Sequence, residues 1–535
     1  MSDLKTPEAD DREVSSQPSS AHDRKPFDAY AVEKGIHGGD LYDEDDTGSG
    51  IHVIVEGQTN LKTTKDGKTI LIPQPSDDPA DPLNWSWGKK HLILLTLFLP
   101  ALFTDFGMTY GTTVFNAQAE TFGKTVAATA LSINGGIFLQ GPGGVIAVPF
   151  TQRFGRLPVL FYSQLISCVL VIGASQATTY ASFTACRTLQ GFFNTAPQVI
   201  GLSVIHDLFF FHERTIRINI WAFSVIFGPF LGPFFSAFMI EKMTWQAIYG
   251  VLAGMYGLSA VILVLFGDET LFDRKNPQSH LSNRVGGANR LLLLLGISGA
   301  RARGRPTLLS VSKHLLQLQL KPQILLITAV YMMLLFMWSI GIVTTVPQFI
   351  IPPPYNFRGN AFALFYLGPM LGAVVGELWG HVFNEWNMRH YMKRHHGRHE
   401  PENRLWGTYA SVILAVTGLV LFGQGVQHSL TWFTLCFAWA IYVFSQVTAT
   451  TAVSAYLLDS FPKHAALVAS ILNFWRTTGG FTVGYFQLDW VKHNGAAVSF
   501  GCQAAILAAG FSSIIATQIW GKKWRQRYPP PAAEN

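Results

Sequence analysis

Three charged residues stand inside long apolar stretches of the sequence, where an isolated charge is unfavourable. Arg187 lies in TACRTLQGFFNTAP, Asp105 in LFTDFGMTYG and Arg476 in NFWRTTGGF. A carboxylate or a guanidinium group in apolar surroundings can bind a proton, pair with an opposite charge or hold a charged ligand, and such groups usually face a cavity. The elements that carry these three residues therefore decide which chemistry is available.

Apolar runs long enough to cross a membrane fill the chain from His91 onward. The 535 residues are 49% hydrophobic and 13% charged, which is low in charge for a water-soluble protein. A helix needs about 20 residues to cross roughly 30 Å of hydrocarbon. The twelve predicted spans are 91–113, 127–149, 158–176, 180–204, 217–240, 246–267, 323–346, 360–382, 405–423, 430–455, 465–487 and 497–519. The predicted fold is an all-α membrane protein with twelve transmembrane helices in two six-helix pseudo-repeats.

The lysines and arginines lie mostly on one side of the predicted spans. If the N-terminus is cytoplasmic, the cytoplasmic side contains 25 of the 31 that follow Leu83 and the opposite side contains four. Cytoplasmic loops are enriched in Lys and Arg, so the pattern predicts that both termini are cytoplasmic. The two basic residues left inside spans are Arg187 and Arg476.

The spans divide the chain into five parts. Residues 1–82 hold 18 acidic and 8 basic side chains and are predicted to be a mostly disordered cytoplasmic segment. The first six-helix half is 83–267, the basic central loop is 268–322, the second half is 323–519, and the cytoplasmic tail is 520–535. Within the first part, IHVIVEGQTNLKTTKDGKTILIPQP has the pattern of two short strands around a turn at Asp66-Gly67.

Several classes of function lack their characteristic residues. All four cysteines, Cys168, Cys186, Cys436 and Cys502, fall within predicted spans, so neither a disulfide framework nor a metal site is expected. No Gly-rich loop ends in Gly-Lys-Ser/Thr, which argues against an ATP-driven pump. No arrangement of nucleophile, base and acid occurs within the spans, so an enzyme is the weakest class. We expect no cofactor and no nucleic-acid partner.

The two halves carry a faint internal repeat. The second span contains GPGGVIAVPFTQRFGR from Gly141, and the eighth contains GPMLGAVVGELWGHVFNEW from Gly368. Twofold internal repetition is common in secondary transporters. Small residues also let helices pack closely, so packing alone is an alternative explanation of the repeat.

The sequence resembles the major facilitator superfamily, specifically its fungal twelve-helix drug:proton antiporter branch, over roughly residues 70–528. The motifs that carry the resemblance are DPLNW at Asp81, QRFGRLPV at Gln152, RTLQG at Arg187, GPFLGP at Gly228, ETLFDR at Glu269, HEPENRL at His399 and YLLDSFP at Tyr456. The resemblance implies the major facilitator fold, with rocker-switch transport through a cavity between two six-helix halves.

The sequence also departs from the family pattern in two motifs. After the second span, Gln152 and Leu157 replace an aspartate and a basic residue of the usual loop, although Arg153 and Arg156 remain. On the fifth span, the motif of Gly228, Pro229, Gly232 and Pro233 is followed by Ser236 and Ala237 instead of paired glycines. The first motif still permits a cytoplasmic latch, and the second no longer determines the direction of transport.

Asp105 and Arg187 are predicted to form a switchable ion pair. At about 1.5 Å per residue, Arg187 lies roughly 10–12 Å below the outer end of the fourth span and Asp105 roughly 20 Å above the inner end of the first. The two residues therefore reach a similar depth, and the resemblance places their helices side by side. Protonation of Asp105 would then release Arg187. In the alternative, Asp105 is solvated near the outer mouth and Arg187 bonds to backbone carbonyls.

Two further ionisable residues receive separate interpretations. Arg476, roughly 16 Å into the eleventh span, either attracts an anionic substrate or bonds across to another helix. Glu377 is placed near the cytoplasmic end of the eighth span, where a carboxylate can reach water, and it is interpreted as a gate or interface residue and not as a proton carrier. The predicted cytoplasmic gate consists of Arg153, Arg156 and Glu377.

The resemblance implies that the first, fourth, seventh and tenth helices line the cavity. Their polar and aromatic residues would suit an amphipathic organic molecule or an organic cation. With Arg476, the predicted cavity residues are Tyr110, Gln190, Asn194, Tyr331, Trp338, Tyr442 and Gln446.

The predicted function is proton-coupled transport of small organic molecules, with export of a drug-like compound or fungal secondary metabolite favoured. The first alternative is an importer of a cationic nutrient such as a polyamine, in which Asp105 binds the amine. The second is a non-transporting nutrient sensor. The expected partners are the substrate, protons and the bilayer, and the expected state is a monomer in the plasma membrane, with the vacuolar membrane as the alternative location.

Overall fold

A computed structural model describes most of the chain from Pro73 onward, and it is almost entirely helical. The described residues are 42–44, 51–53, 62, 71, 73–272, 287–302, 305–395, 400–461 and 464–529. Two short strands, Tyr42–Glu44 and Ile51–Val53, pair antiparallel, with Asp43 opposite His52. A backbone hydrogen bond of 3.0 Å from Leu71 N to Lys62 O spans the predicted turn. Asp66 and Gly67 themselves, and most of the predicted disordered segment, lie outside the described residues.

Six helices form the first half. Helix 1 runs from Trp87 to Phe122 and changes from α to 3₁₀ geometry over Tyr110–Val114, and helix 4 is broken near Thr195. The remaining bounds are Val126–Phe154 for helix 2, Arg156–Ser175 for helix 3, Tyr180–Asn194 and Ala196–Leu208 for helix 4, Phe211–Met239 for helix 5 and Trp245–Phe266 for helix 6.

Six further helices form the second half, after a linker with three short helices, Gly287–Leu294, Ile297–Arg301 and Leu308–Gln319. Helix 7 includes a π-helical stretch, Ile327–Met332. The bounds are Pro322–Ile350 for helix 7, Gly359–Arg394 for helix 8, Pro401–Gln427 for helix 9, Trp432–Ser460 for helix 10, Ala465–Asn494 for helix 11 and Ala496–Arg527 for helix 12.

Local sequence explains where several helices begin and bend. The hydroxyls of Ser86 and Thr179 cap the first turns of helices 1 and 4 by accepting hydrogen bonds from backbone N–H groups. Pro197 follows the break in helix 4, a position at which proline is compatible with a new first turn. The change in helix 1 follows Asp105 and the two carbonyls that Arg187 binds, and the break in helix 4 precedes Gln198, which binds Asp105.

Ten helices in the described part of the chain are long and apolar enough to cross a membrane. The two helices that fall short of that measure are helix 4, which is divided into segments of 15 and 13 residues, and helix 11, which has 30 residues. These two carry Arg187 and Arg476. Helix 4 falls short by the length of its segments and helix 11 by its composition, and these are the two helices that hold the buried arginines.

The two halves meet along two pairs of helices: helix 2 packs against helix 11, and helix 5 against helix 8. A β-carbon on Gly141 would lie 2.8 Å from the Thr477 hydroxyl, so the glycine permits the close approach of helices 2 and 11. The linker helix Leu308–Gln319 packs against both helix 2 and helix 11. The interface between the halves is thus closed by direct helix contacts and by the linker.

Candidate functional site

Asp105 accepts hydrogen bonds from two other helices and forms an ion pair with a third. Its Oδ1 accepts from Gln140 Nε2 of helix 2 at 3.1 Å, and its Oδ2 accepts from Gln198 Nε2 of helix 4 at 3.2 Å. Arg476 Nη1 of helix 11 lies 2.9 Å from Oδ2 and completes an ion pair. The carboxylate is only 7% exposed, so these donors replace the water that would otherwise solvate it.

The Asp105–Arg476 ion pair joins the two halves of the molecule. Arg476 Nη2 also donates to Asn473 Oδ1 at 3.0 Å, one turn earlier on helix 11. Asn473 Nδ2 in turn donates to Gln140 O at 3.1 Å and to Thr195 Oγ1 at 3.2 Å, both in the first half. The pair is therefore the charged member of a polar network that crosses the interface.

Arg187 does not form the predicted pair with Asp105. Its Nη1 donates to Gly107 O at 2.9 Å and to Gln190 Oε1 at 2.6 Å, and its Nη2 donates to Met108 O at 2.5 Å. The two carbonyls lie just before the change to 3₁₀ geometry in helix 1, where the regular α-helical pattern ends. The structure corrects the predicted pairing: Asp105 pairs with Arg476, and Arg187 bonds to backbone carbonyls of the same half.

A small internal cavity lies beside the ion pair. About 40 Å³ is open to water-sized molecules, whereas sites for drug-sized ligands are about 300–1,000 Å³. The polar lining residues are Asp105, Thr109, Gln140, Ser339, Gln446, Arg476 and Thr477. The apolar ones are Met108, Ile137, Ile226, Pro229, Phe230, Phe336, Ile340 and Val343. This conformation is closed around its charged centre, so a drug-sized ligand requires the halves to separate.

Six of the residues predicted for the cavity pack elsewhere in this conformation, and Gln446 and Arg476 alone among the predicted set line it. The six are fully or almost fully buried within one half: Tyr110, Gln190, Asn194, Tyr331, Trp338 and Tyr442. Tyr442, for example, donates to Leu335 O at 2.6 Å, and Asn194 Nδ2 donates to Thr104 O at 2.7 Å. These side chains donate hydrogen bonds within their own half or pack against its aromatic rings. They are therefore not part of the cavity wall.

The helix-five motif positions helix 1 and hence Asp105. A β-carbon on Gly228 would lie 2.7 Å from Leu102 O, and one on Gly232 would lie 2.5 Å from Phe106 O. Glycine at these two positions therefore allows the backbones of helices 1 and 5 to approach closely. Pro229 lines the cavity between them, and Pro233 O accepts a hydrogen bond from Ser236. Ser236 Oγ, where the family usually has glycine, lies 2.7 Å from Thr113 Oγ1 of helix 1.

Arg153 and Arg156 both lie at the turn between helices 2 and 3. Arg156 pairs with Asp207 at 2.9 Å, and its backbone N–H donates to Glu269 Oε1 at 3.0 Å. Arg153 instead donates to two linker carbonyls, Arg305 O and Ala300 O, each at 3.4 Å. Burial beside other cations lowers the pKa of the Arg305 guanidinium. These contacts hold the start of helix 3, the end of helix 4 and the linker together.

Glu377 lies apart from Arg153, Arg156 and the residues that they contact. It is 18 residues after the start of helix 8 at Gly359 and 17 before its end at Arg394, so it stands near the midpoint of the helix. The helix continues through the polar sequence FNEWNMRHYMKR. The predicted span, 360–382, was based on apolar residues and therefore ended before this sequence. In this conformation Glu377 contacts Thr451 of helix 10, and none of the contacts in the described residues joins it to Arg153 or Arg156.

Three residues of the Asp105 network did not emerge from the sequence: Gln140, Gln198 and Asn473. Each is an amide inside a predicted span, as are Gln190 and Asn194, which were selected as cavity residues. Gln198 follows Asn194 by one helical turn, and Asn473 precedes Arg476 by three residues. A search for amides within one turn of a charged or polar span residue would have found these two.

Twelve helices in two halves around a closed, charged centre define a secondary transporter of the alternating-access type. The sequence profile described as Major Facilitator Superfamily matches residues 94–484. The chain belongs to that family, and it is a multi-pass membrane protein.

The similar proteins are fungal transporters. The chain is 24% identical to the "Uncharacterized MFS-type transporter C1271.10c" of Schizosaccharomyces pombe, covering 86% of this chain and 89% of the relative. It is 25% identical to the "Efflux pump radE" of Floropilus chiversii, covering 82% and 81%. It is 22% identical to the "Multidrug transporter TPO1_2" of Candida glabrata, covering 83% and 74%.

Solved structures show the same fold. The human organic anion transporter MFSD10 matches 79% of this chain and 99% of its own length, with a TM-score of 0.55 and 14% identity. The partially occluded inward-open xylose transporter XylE of E. coli matches 81% and 98%, with a TM-score of 0.54 and 14% identity. At these identities the likeness concerns the fold alone.

Proposed function

We propose that this protein is a proton-coupled exporter of small organic molecules, with Asp105 as its proton-binding residue. The observation that carries the proposal is the 2.9 Å ion pair between Asp105 and Arg476, which joins the two halves beside the cavity. The names of two relatives, an efflux pump and a multidrug transporter, support export. The expected location is the plasma membrane, with both termini in the cytoplasm.

Protonation of Asp105 would weaken the contact between the halves. A neutral carboxylic acid no longer attracts the Arg476 guanidinium as an ion, and one of its oxygens becomes a donor. Gln140 and Gln198 lie in the same half as Asp105 and can stay in contact with it. The attraction that is lost is therefore mainly the one between Asp105 and Arg476 of helix 11. Proton binding thereby favours separation of the halves, which is the step that opens the cavity.

The cavity lining suits an amphipathic substrate with a charged or polar group. Phe230, Phe336 and Met108 supply apolar surface next to one carboxylate and one guanidinium. A cationic substrate would compete with the proton for Asp105, which is the linkage that exchange of substrate for protons requires. An anionic substrate would bind Arg476 most readily when Asp105 is protonated, and it would move in the same direction as the proton.

Import of a cationic nutrient is the second candidate. Asp105 is the one acidic residue that lines the cavity in the described part of the chain, so an amine would find its counter-ion there. The same charge arrangement serves either direction of transport. Direction therefore has to be measured.

The test is a proton-flux assay in sealed vesicles that contain the purified full-length protein. Organic cations, anions and neutral aromatic compounds are added in turn to wild type and to Asp105→Asn, with Glu120→Gln as a matched control on an exposed carboxylate of the same helix. We expect substrate-triggered proton movement in wild type and in the control, and a loss of at least about tenfold in Asp105→Asn. Unchanged proton movement in Asp105→Asn would remove this residue from the mechanism.

The sign of the proton signal separates the candidates. A cation that enters the vesicles while protons leave them indicates exchange, as expected for an exporter. A cation that enters together with protons indicates an importer.

A further inference from the structure

Glu377 is an acidic residue in the membrane interior that the Asp105 site does not use. Helix 8 has 36 residues from Gly359 to Arg394, and its apolar part, residues 359–382, is about 36 Å long at 1.5 Å per residue. A hydrocarbon core of about 30 Å centred on this apolar part encloses the carboxyl group of Glu377, about 10 Å from the midplane. An ionisable residue at this depth usually has a functional role.

The carboxyl group of Glu377 has one weak polar contact. Thr451 Oγ1 of helix 10 donates to Oε2 at 3.4 Å, and the buried Oε1 accepts no hydrogen bond. Glu377 itself is half-buried; on its face of the helix Ala373 and Gly380 are buried and Val374 is exposed, so the carboxyl group lies at the edge of the contact between helices 8 and 10. Around Glu377, helix 10 contributes Thr448 and Thr451, and helix 8 contributes His381 one turn further on. No ion pair involving Glu377 occurs in the described residues.

Helix packing does not explain an acidic residue at this position. The contact between helices 8 and 10 is made by a run of glycines every four residues: a β-carbon on Gly372 would lie 2.3 Å from Ala440 O, and one on Gly376 would lie 2.7 Å from Phe444 O. In the internal repeat, counting nine residues from Gly141 and from Gly368 aligns Glu377 with Phe150, which is 42% exposed. The first half thus has a lipid-facing aromatic residue where the second half has a carboxyl group.

We propose that Glu377 is a second proton-binding residue of the transport cycle, in the half opposite Asp105. Without a cation or a set of N–H donors, an ionised carboxylate in this place is strongly unfavourable, so the group holds a proton in the closed conformation. Movement of helix 8 against helix 5, when the halves separate, exposes the group to water and lets the proton leave. This inference rests on the proposed proton coupling, and it predicts two protons per cycle where Asp105 alone would give one.

The first test needs no transport. Dicyclohexylcarbodiimide reacts with protonated carboxyl groups in apolar surroundings: the carboxyl proton passes to a carbodiimide nitrogen while a carboxyl oxygen bonds to the central carbon. We expect mass spectrometry of the treated full-length protein to find the adduct on Glu377 in wild type and in Asp105→Asn. Labelling should decrease as the pH rises. Glu402, which is bound by both guanidinium nitrogens of Arg525, should stay unlabelled. No adduct on Glu377, or labelling equal to that of Glu402, would overturn the proposal.

The second test is the proton-to-substrate ratio, obtained in vesicles from the substrate gradient that balances an imposed pH gradient. We expect the ratio to fall from two in wild type to one in Glu377→Gln, with Thr451→Val as a matched variant that keeps the carboxyl group and the ratio of two. An equal ratio in wild type and Glu377→Gln would overturn the proposal and leave the role of Asp105 intact. Absence of coupling in wild type would instead overturn the proposed function, while the labelling result would still stand on its own.

Discussion

Arg187 and Arg476 are both buried in the membrane region, with exposed fractions of 0% and 7%, yet their guanidinium groups meet different partners. Arg187 donates to two backbone carbonyls and one amide oxygen, all in its own half. Arg476 pairs with a carboxylate in the opposite half and donates to Asn473 on its own helix. The first arginine is stabilised by neutral dipoles and the second by a full charge.

Under the proposed function, this difference separates a structural role from a coupling role. The backbone carbonyls that bind Arg187 carry no ionisable proton, so its contacts do not depend on protonation. Protonation of the Asp105 carboxylate would remove the charge that Arg476 faces. In this fold, the arginine that binds within one half stabilises that half, and the arginine that binds across the interface can report the protonation state.

The largest expected effect is the loss of folded protein in Arg187→Gln. Three hydrogen bonds to a charged group are lost, each worth about 1.5–3 kcal/mol, and the carbonyls of Gly107 and Met108 lose a donor. We expect a large fall in the yield of monodisperse protein and in its thermal midpoint in detergent.

The matched variant Arg476→Gln should keep more of its folded protein than Arg187→Gln, while its substrate-triggered proton movement falls to background. If Arg187→Gln folded normally and lost coupling instead, the assignment of the two arginines would be reversed.

An intermediate effect is expected for the ion pair itself, measured as a double-mutant cycle. Removing one partner of a buried pair typically costs about 3–5 kcal/mol, because the other charge is left uncompensated. We expect Asp105→Asn and Arg476→Gln each to lower the free energy of unfolding by that order, and the double variant to lose clearly less than the sum. Reversible unfolding in detergent, followed by tryptophan fluorescence, gives the four free energies.

The control cycle combines Glu120→Gln with Arg476→Gln, because Glu120 is an exposed carboxylate at the outer end of helix 1. Its two effects should add within about 0.5 kcal/mol. Additivity in the Asp105 cycle as well would show that the pair contributes no interaction energy.

The apolar pattern predicted the helices far better than their ends. The eighth span was predicted as 360–382, whereas the helix ends at Arg394. The prediction stopped early because the last turns of the helix are polar and leave the hydrocarbon. Hydropathy detects the part of a helix that lies in lipid, and it contains no signal for where hydrogen bonding stops.

Depth could be predicted from the sequence for the charged centre, but rotation about the helix axes could not. Counting residues placed Asp105 and Arg187 at similar depth. Arg187 does contact the part of helix 1 that carries Asp105. Which side chain faces which neighbour depends on the packing of glycines such as Gly228 and on the 3₁₀ change after Thr109. Those features depend on backbone geometry that a single sequence does not specify, so the partner Arg476 was not identified.

The smallest effect on stability is expected for an exposed ion pair within one half. It serves as a reference for the stability that the buried Asp105–Arg476 pair contributes. Lys522 Nζ of helix 12 lies 2.8 Å from Glu400 Oε1, and Tyr391 also donates to this carboxylate. The hydrogen bond from Lys522 holds the pKa of Glu400 below its usual value. Because side chains of this kind are well solvated, Lys522→Met should cost less than about 1 kcal/mol near neutral pH.

The pH dependence gives this last prediction its sign. A carboxyl group whose pKa is lowered on folding adds stability above its unfolded pKa of about 4.3, and that stability is lost as the pH falls through the folded pKa. The difference in thermal midpoint between Lys522→Met and the control Lys523→Met, an exposed neighbour, should therefore persist at higher pH and shrink below about pH 4. A difference as large as that of the Asp105–Arg476 cycle would contradict the view that burial across the interface, and not charge pairing as such, gives that pair its effect.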